Sequence, residues 1–568
     1  MNVTELLNES LRTAADRPAL ISGIGNARRT LSFADLTQEV DTLVREFRER
    51  GLQPGDKVLL AVPVCIETYV AMIAILKAGL VVMFIDPAHG VAEVARCLRA
   101  HPPAGIVGTR ALLLLRFLSP EIHRIPVRLI ATSKTAVRQI ELRSRRSQSA
   151  LLPERRSTED SALLTFTSGS TGEPKAVVRT HGFLRHQLDF LNRIACPEAS
   201  DIDFAAMPMF ALFNLASGTT TVIPACDMKR PGRADPRALF AQLRRENATT
   251  MVASPALLER LAEYCLRTRQ AMPAMRCIST GGGPVAPTLP ERIGAIAPNA
   301  VIKCVYGSTE AEPIACVINE DISISDKRAM REGAGLLVGR PVQGCDVKVI
   351  PNRSGTPMGP YSESEFAALA LPAGQVGEIV VSGRHVLAGY ADPIRNRETK
   401  IDVGRNRWHR TGDAAYFDAR GRLWLVGRCS AVLRDARGTV YPFQVEYAVG
   451  AVRGIRRAAL IPEQGKRVLV LETSGTEFTS DCVKASRCLA DKQIDRIVVV
   501  RRIPMDRRHD AKVDYPALGQ LLEGRWTRIR LFLVCLATRL FRVFRDVFVA
   551  LQLQITGRRL DLTSRINE

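Results

Sequence analysis

The sequence predicts an α/β fold: a large multi-layer N-terminal domain with mostly parallel sheets and a β-rich subdomain, then a smaller α+β C-terminal domain. Three observations predict it. The chain has 568 residues, too many for one hydrophobic core, so several domains are expected. Short Val/Ile/Leu runs alternate with helical patterns from about residue 30 to 425, the pattern of helices laid over parallel sheets. After Gly427 and Arg428 a smaller segment has strands of its own, at 467–472 and 496–501. The expected units are 1–427, 428–520 and a basic tail, 521–568.

Residues 58–85 are apolar enough to suggest a membrane span. Pro63, Glu67, Lys77 and Gly79 divide them, leaving pieces of strand and helix size bounded by breakers. The expectation is a buried βαβ unit, with a strand at 58–62, a helix at 66–78 and a strand at 80–85. A span needs ~20 apolar residues. Residues 134–158 are polar and arginine-rich, a surface loop. Residues 347–389 are β-rich.

Hydrophobic residues make up 46% and charged residues 24%, as in a globular protein. The formal net charge of +21 is high. It favours anionic partners: nucleotides, phospholipid headgroups, nucleic acid or acidic proteins. Without zinc-finger spacing or an RNA-binding aromatic motif, nucleic acid is not expected. Thirteen cysteines never form Cys-x-x-Cys, which reads as reduced thiols and gives no zinc-site spacing. The first eleven residues show no secretory signal, so a cytoplasmic location is expected.

The strongest chemical signal is Leu163-Leu164-Thr165-Phe166-Thr167-Ser168-Gly169-Ser170-Thr171-Gly172-Glu173-Pro174-Lys175. A strand leads into a glycine- and hydroxyl-rich loop that ends in lysine. Glycines let the backbone turn tightly, and amides and hydroxyls can donate to phosphate oxygens. The alternative is a flexible surface turn. It is not a Walker loop, because the G-x-x-x-x-G-K-[ST] spacing fails. Gly23-Ile24-Gly25 places Arg28 where a dinucleotide fingerprint needs glycine, and reads as a turn.

This loop resembles the phosphate-binding signature of the adenylate-forming superfamily: acyl-CoA synthetases, peptide-synthetase adenylation domains and luciferases. Further stretches agree in order. Ser279-Thr280-Gly281-Gly282-Gly283-Pro284 resembles the glycine turn against adenine. Val305-Tyr306-Gly307-Ser308-Thr309-Glu310 resembles the next signature. By resemblance Tyr306 stacks on adenine, with Gly307 and Ser308 beside it. Thr309 meets the α-phosphate and Glu310 holds Mg²⁺. Trp408-His409-Arg410-Thr411-Gly412-Asp413 is similar to the ribose-binding segment, with Asp413 accepting from the ribose hydroxyls. Arg428, at the domain junction, is counted with the nucleotide-binding residues. Pro504-Met505-Asp506-Arg507-Arg508-His509-Asp510-Ala511-Lys512 resembles the segment with the catalytic lysine. The resemblance runs from about residue 10 to 520. It implies ATP and Mg²⁺, and activation of a carboxylic acid as its acyl-adenylate. Lys512, Thr309 and Glu310 are the expected catalytic residues.

Two departures separate the chain from common acyl-CoA ligases. Those ligases carry a histidine soon after the Pro-x-Phe near residue 210, where this chain reads Pro208-Met209-Phe210-Ala211-Leu212-Phe213-Asn214, and Ser430 and Ala431 replace a Lys-Asp pair at the hinge. Three runs resemble the β-lactone synthetases of bacterial long-chain olefin biosynthesis: Phe210-Ala211-Leu212-Phe213, Ser254-Pro255-Ala256-Leu257-Leu258, and Arg508-His509-Asp510-Ala511-Lys512. Asp227-Met228-Lys229-Arg230-Pro231 followed by Ala234-Asp235-Pro236 adds to this. In that family a 2-alkyl-3-hydroxy fatty acid is adenylated and its own hydroxyl displaces AMP. His181 and His509 are candidates for taking the hydroxyl's proton; the alternative for each is a structural role. Rival readings are a fatty acyl-CoA ligase and a non-catalytic acyl- or nucleotide-binding member of an assembly. The resemblance implies olefin-pathway partners: a condensing enzyme, a reductase and a lactone decarboxylase.

The tail, 525–568, carries nine arginines against three acids, a net of about +6. Arg525, Arg528, Arg539 and Arg542 share a helical face with Asp546, and Phe541, Phe544 and Phe548 lie largely off it. Such a helix suits a membrane interface, making the protein peripheral at the inner membrane face. The alternatives are docking on the enzyme's own surface or gripping a partner protein.

Overall fold

The computed structural model describes residues 1–86, 90–110, 119–130, 151–168, 174–228, 230–286, 288–452, 454–463, 465–473, 494–505 and 513–523. Thr167, Ser168, Pro174 and Lys175 have a described backbone but not a described side chain. The 169–173 loop, the segment with His509 and Lys512, and the tail from 524 lie outside the described residues.

The apolar stretch near the N-terminus folds as a βαβ unit: Lys57–Ala61, helix Ile66–Lys77 and Val81–Phe84, with the two strands parallel. The helix is buried along its whole length apart from Glu67, which explains its near-continuous hydrophobicity. Lys77 divides the sequence pattern, yet it is buried too. Its ammonium meets the Asp41 carboxylate at 2.6 Å, the pairing a buried charge requires. No described helix is long and apolar enough to cross a membrane.

These strands belong to a six-stranded sheet, ordered Val127–Ile130, Gly105–Gly108, Lys57–Ala61, Val81–Phe84, Ser161–Ser168 and Pro174–Thr180. All its pairs are parallel except the last. A second, fourteen-stranded sheet has a parallel half. Pro18–Ser22, Thr220–Ile223, Ile202–Ala205, Thr250–Ala253, Cys277–Gly281 and Val301–Ser308 lie side by side. Its other half is antiparallel and begins at the Val301–Ser308 and Ala311–Ile318 hairpin. The β-rich stretch expected near 347–389 supplies that half's far edge, through Asp346–Ile350 and Gly377–Ser382.

Beyond the Leu423–Arg428 strand, Ile455–Glu463, Lys466–Thr473 and Arg496–Val500 form a three-stranded sheet. Its residues alternate between two cores, as period-two geometry demands. Leu460, Leu469 and Leu471 face Val445 and Val449 of helix Pro442–Gly450. Ile461, Val468 and Val470 pack with Ile503, Leu518 and Leu522.

Candidate functional site

The site gathers where strands of the two sheets end. Ser161–Ser168 and Pro174–Thr180 pair as a hairpin, with Thr167 opposite Lys175 and Ser168 opposite Pro174. Residues 169–173, which join the two strands in sequence, lie outside the described residues.

The glycine turn follows the Cys277–Gly281 strand, whose Gly281 lies in register with Val305 of the parallel neighbour. A Cβ on Gly281 would sit 2.6 Å from the Val305 carbonyl oxygen, so no larger residue fits without moving backbone. Gly282 has φ of +76°, the left-handed region that glycine enters at little cost. The turn thus opens at the C-terminal end of a parallel strand, where open α/β sheets hold their ligands.

Tyr306 is on the next strand. Its hydroxyl donates to Asp413 Oδ2 at 2.7 Å. Burial, then the neighbouring Asp413 charge, push the phenol far above its ordinary value, so it remains a donor. Asp413 and Arg428 are cross-strand partners, and the guanidinium meets Asp413 Oδ1 at 2.9 Å. The Asp413 amide donates to Thr411 Oγ1 at 3.1 Å. Both carboxylate oxygens are engaged, yet a carboxylate has about four lone-pair positions, which leaves capacity for a further donor. Arg410, inside the same motif, points elsewhere. It forms a buried 2.6 Å ion pair with Glu378 and donates to the carbonyls of Thr356, Glu398 and Arg353. That network anchors the strand presenting Asp413.

Thr309 and Glu310 form the turn between Val301–Ser308 and Ala311–Ile318. Glu310 accepts from the Tyr390 hydroxyl at 2.6 Å. Burial alone would raise the carboxyl's pKa. His409, the Tyr390 bond, a backbone hydrogen bond and Lys400 outweigh it, and the group stays below its usual range. Lys400 is buried, and that burial lowers its pKa to about 7 against the pull of Glu310. Its ammonium donates to the Leu387 carbonyl, and the Leu387 amide donates to Glu310 O at 2.7 Å. Arg179 reaches the Thr309 carbonyl at 3.2 Å.

Sequence reasoning missed Tyr390, Lys400 and Arg179. Tyr390 ends a Gly-Tyr pair after the β-rich stretch, the only local signal among them. Nothing in a sequence marks a lysine as buried. His181 is committed to structure: its Nδ1 accepts from the Val3 amide at 3.1 Å, and burial holds its pKa down at about 4.

The buried hydroxyls of Thr280 and Ser308 have no hydrogen-bond partner among the described residues. They flank the glycine turn and Tyr306, and a polar nucleotide fits such orphaned groups. No group of three or more His, Cys, Asp or Glu poised for a metal occurs among the described residues.

The family model described as "AMP-binding enzyme" matches residues 7–391. The chain belongs to the AMP-binding enzyme family. This AMP-binding enzyme is 30% identical over 542 residues to an olefin beta-lactone synthetase of Stenotrophomonas maltophilia, covering 90% of this chain and 96% of the relative. It is 31% identical over 510 residues to an olefin beta-lactone synthetase of Xanthomonas campestris pv. campestris, covering 85% and 89%. Its fold matches the crystal structure of ATP-bound MatB from Rhodopseudomonas palustris with a TM-score of 0.73, at 19% identity, over 92% of this chain and 99% of that one. It is an adenylate-forming enzyme, an AMP-forming ligase that uses ATP.

Proposed function

We propose that the enzyme activates a long-chain 2-alkyl-3-hydroxy fatty acid as its acyl-adenylate and closes it to a β-lactone. What carries the lactone step is the likeness to two olefin beta-lactone synthetases over most of the chain. What supports the adenylation roles is the convergence of Tyr306, Asp413, Arg428 and Glu310 beside the glycine turn.

In this reading Tyr306 offers its ring face to adenine while Asp413 fixes its hydroxyl. Asp413 also accepts from the ribose. Gly281, Gly282 and Gly283 let the base approach the backbone, beside Gly307 and Ser308. Thr167, Ser168, Ser170, Thr171 and the amides of Gly169 and Gly172 hold phosphate oxygens, with Lys175 supplying positive charge. Thr309 meets the α-phosphate. Glu310 and the phosphates would hold Mg²⁺, which neutralises phosphate charge.

A carboxylate oxygen of the acid bonds to the α-phosphorus and the bond to pyrophosphate breaks. Both reactants are anions, so a cation must lie between them; that is the role given to Lys512. The 3-hydroxyl oxygen then bonds to the acyl carbon, AMP leaves, and the hydroxyl proton passes to solvent or an acceptor. With His181 occupied by Val3, His509 is the remaining candidate acceptor. Holding the hydroxyl beside the carbonyl replaces an external thiol.

The test is incubation with ATP, Mg²⁺ and a 2-alkyl-3-hydroxy fatty acid, with and without coenzyme A. AMP and a β-lactone should appear without coenzyme A. AMP release that strictly requires it would overturn the lactone reading in favour of an acyl-CoA ligase. Absence of ATP–pyrophosphate exchange over a broad acid panel would favour a non-catalytic binding protein.

A further inference from the structure

A cavity lies between helices His181–Ala195 and Pro208–Ala216 and the parallel half of the large sheet. Leu191, Phe210, Phe213 and Val252 supply apolar wall, and Asn192 and Ser217 supply polar wall. The floor is polar. Asp203, Thr250 and Cys277 are in register across three parallel strands, so their side chains share one sheet face. Ser279 and Gly281 continue that face toward the glycine turn. Four residues separate Cys277 from Gly281, a rise of about 13 Å at strand spacing.

The floor is built from buried polar groups. The Asp203 carboxylate, 3% exposed, accepts from Thr250 Oγ1 at 2.7 Å and Asn214 Nδ2 at 2.8 Å. Thr219 also lines the cavity and is 1% exposed. Its hydroxyl has no hydrogen-bond partner among the described residues. A pocket for a terminal methyl would gain nothing from such groups, since each unmet hydroxyl in an apolar setting is a loss.

We propose that this floor is a polar subsite for the acid's chain: it takes a hydrogen-bonding terminus, an alcohol, about 13 Å below the glycine turn. The alcohol would sit beside Asp203 and Asn214 and satisfy Thr219. The inference rests on the reading that the site adenylates a carboxylic acid, and it names a feature of that acid. It does not depend on the lactone step. In a 2-alkyl-3-hydroxy acid, one of the two chains would enter here.

The experiment compares straight-chain acids in matched pairs, one ending in methyl and the other in hydroxyl, across a range of lengths. The readout is kcat/KM for ATP–pyrophosphate exchange. At the length that reaches the floor, the hydroxyl-ended acid should exceed its partner at least tenfold. Thr219→Val, nearly the same shape, should cut that ratio below threefold, and Asn214→Leu should invert it. A ratio within one variant is insensitive to how much of it folds. Methyl-ended acids preferred at every length would overturn the subsite, as would a preference that Thr219→Val leaves intact. Equal use of both acids would mean that the floor holds only water. Exchange with no acid at all would remove the adenylation reading and the subsite with it.

Discussion

Replacing Asp413 tests whether the nucleotide end of the site is built as one unit. The carboxylate accepts from the buried Tyr306 hydroxyl and pairs with Arg428. A hydrogen bond to a charged group contributes about 1.5–3 kcal/mol. The Arg428 side chain is 49% exposed, so screening reduces its pair to ~0.2–1 kcal/mol. Asp413→Ala should therefore destabilise the nucleotide-free protein by roughly 2–4 kcal/mol in urea unfolding. If Asp413 also receives the ribose hydroxyls, ATP binding should weaken by ~1–3 kcal/mol, a rise in Kd of about 5- to 150-fold by calorimetry. Tyr306→Phe, alone and combined with Asp413→Ala, closes a double-mutant cycle. A coupling of about 1–3 kcal/mol in stability is expected for residues in direct contact. Coupling indistinguishable from zero would refute the shared unit, and an unchanged Kd would refute the ribose role.

Lys512→Ala should lower kcat for ATP–pyrophosphate exchange by at least ~10³, about 4 kcal/mol, while ATP affinity holds; near-normal exchange rules out a catalytic lysine there. Gly281→Ala forces a Cβ against the Val305 carbonyl and should cost ~1–3 kcal/mol of stability, read as a fall in Tm; an unchanged Tm contradicts the close approach. Glu446 is buried against Tyr515 and the Leu460 amide, and burial raises its pKa to about 7. The folded state therefore binds the proton that an unfolded carboxyl releases near pH ~4.3, and its contribution to stability declines as pH rises from there to about 7. Glu446→Gln should be neutral near pH 4 and stabilising at pH 8; a stability difference that ignores pH would show that Glu446 does not titrate in this window. Full-length protein should sediment with anionic liposomes at low salt, and a chain ending at Leu522 should not; equal sedimentation removes the tail as an anchor.

Much of the architecture was legible because hydrophobic pattern and breakers agree. In the early βαβ unit, Gly79 and Pro63 separate pieces whose lengths suit strands and helix, and the structure places them within a residue or two. The site motifs were legible for a different reason. Gly281 and Gly282 are dictated by backbone approach and a positive φ, and such constraints leave few residue choices. The Glu310 surroundings were not legible. Tyr390 and Lys400 lie eighty and ninety residues further along the chain, and only folding brings them to the turn. Arg410 shows the converse: it sits inside a motif, yet its guanidinium is spent on Glu378 and three carbonyls. Motif membership locates a segment without saying which way each side chain faces.

The departure at residues 430 and 431 bears on the proposed reaction. Just after Arg428, Cys429–Ala431 forms a short 3₁₀ turn. Cys429 is buried, and its carbonyl accepts from Asn352 at 3.1 Å. Ser430 and Ala431 occupy the two positions at which the resemblance to acyl-CoA ligases implies a Lys-Asp pair. Beyond the hinge, Tyr447 donates to the Val285 carbonyl at 2.9 Å, four residues past Gly281. The same ring packs with Met330 and Trp424. Gly427 brings Phe443 close, where a Cβ would lie 3.0 Å from the Phe443 Cβ. These contacts tie helix Pro442–Gly450 to the sheet that carries the nucleotide site. In the proposed reaction the second nucleophile is a hydroxyl already on the bound acid, so no thiol has to be admitted between the two steps. On that proposal the contacts of Tyr447 and Phe443 can persist through both steps.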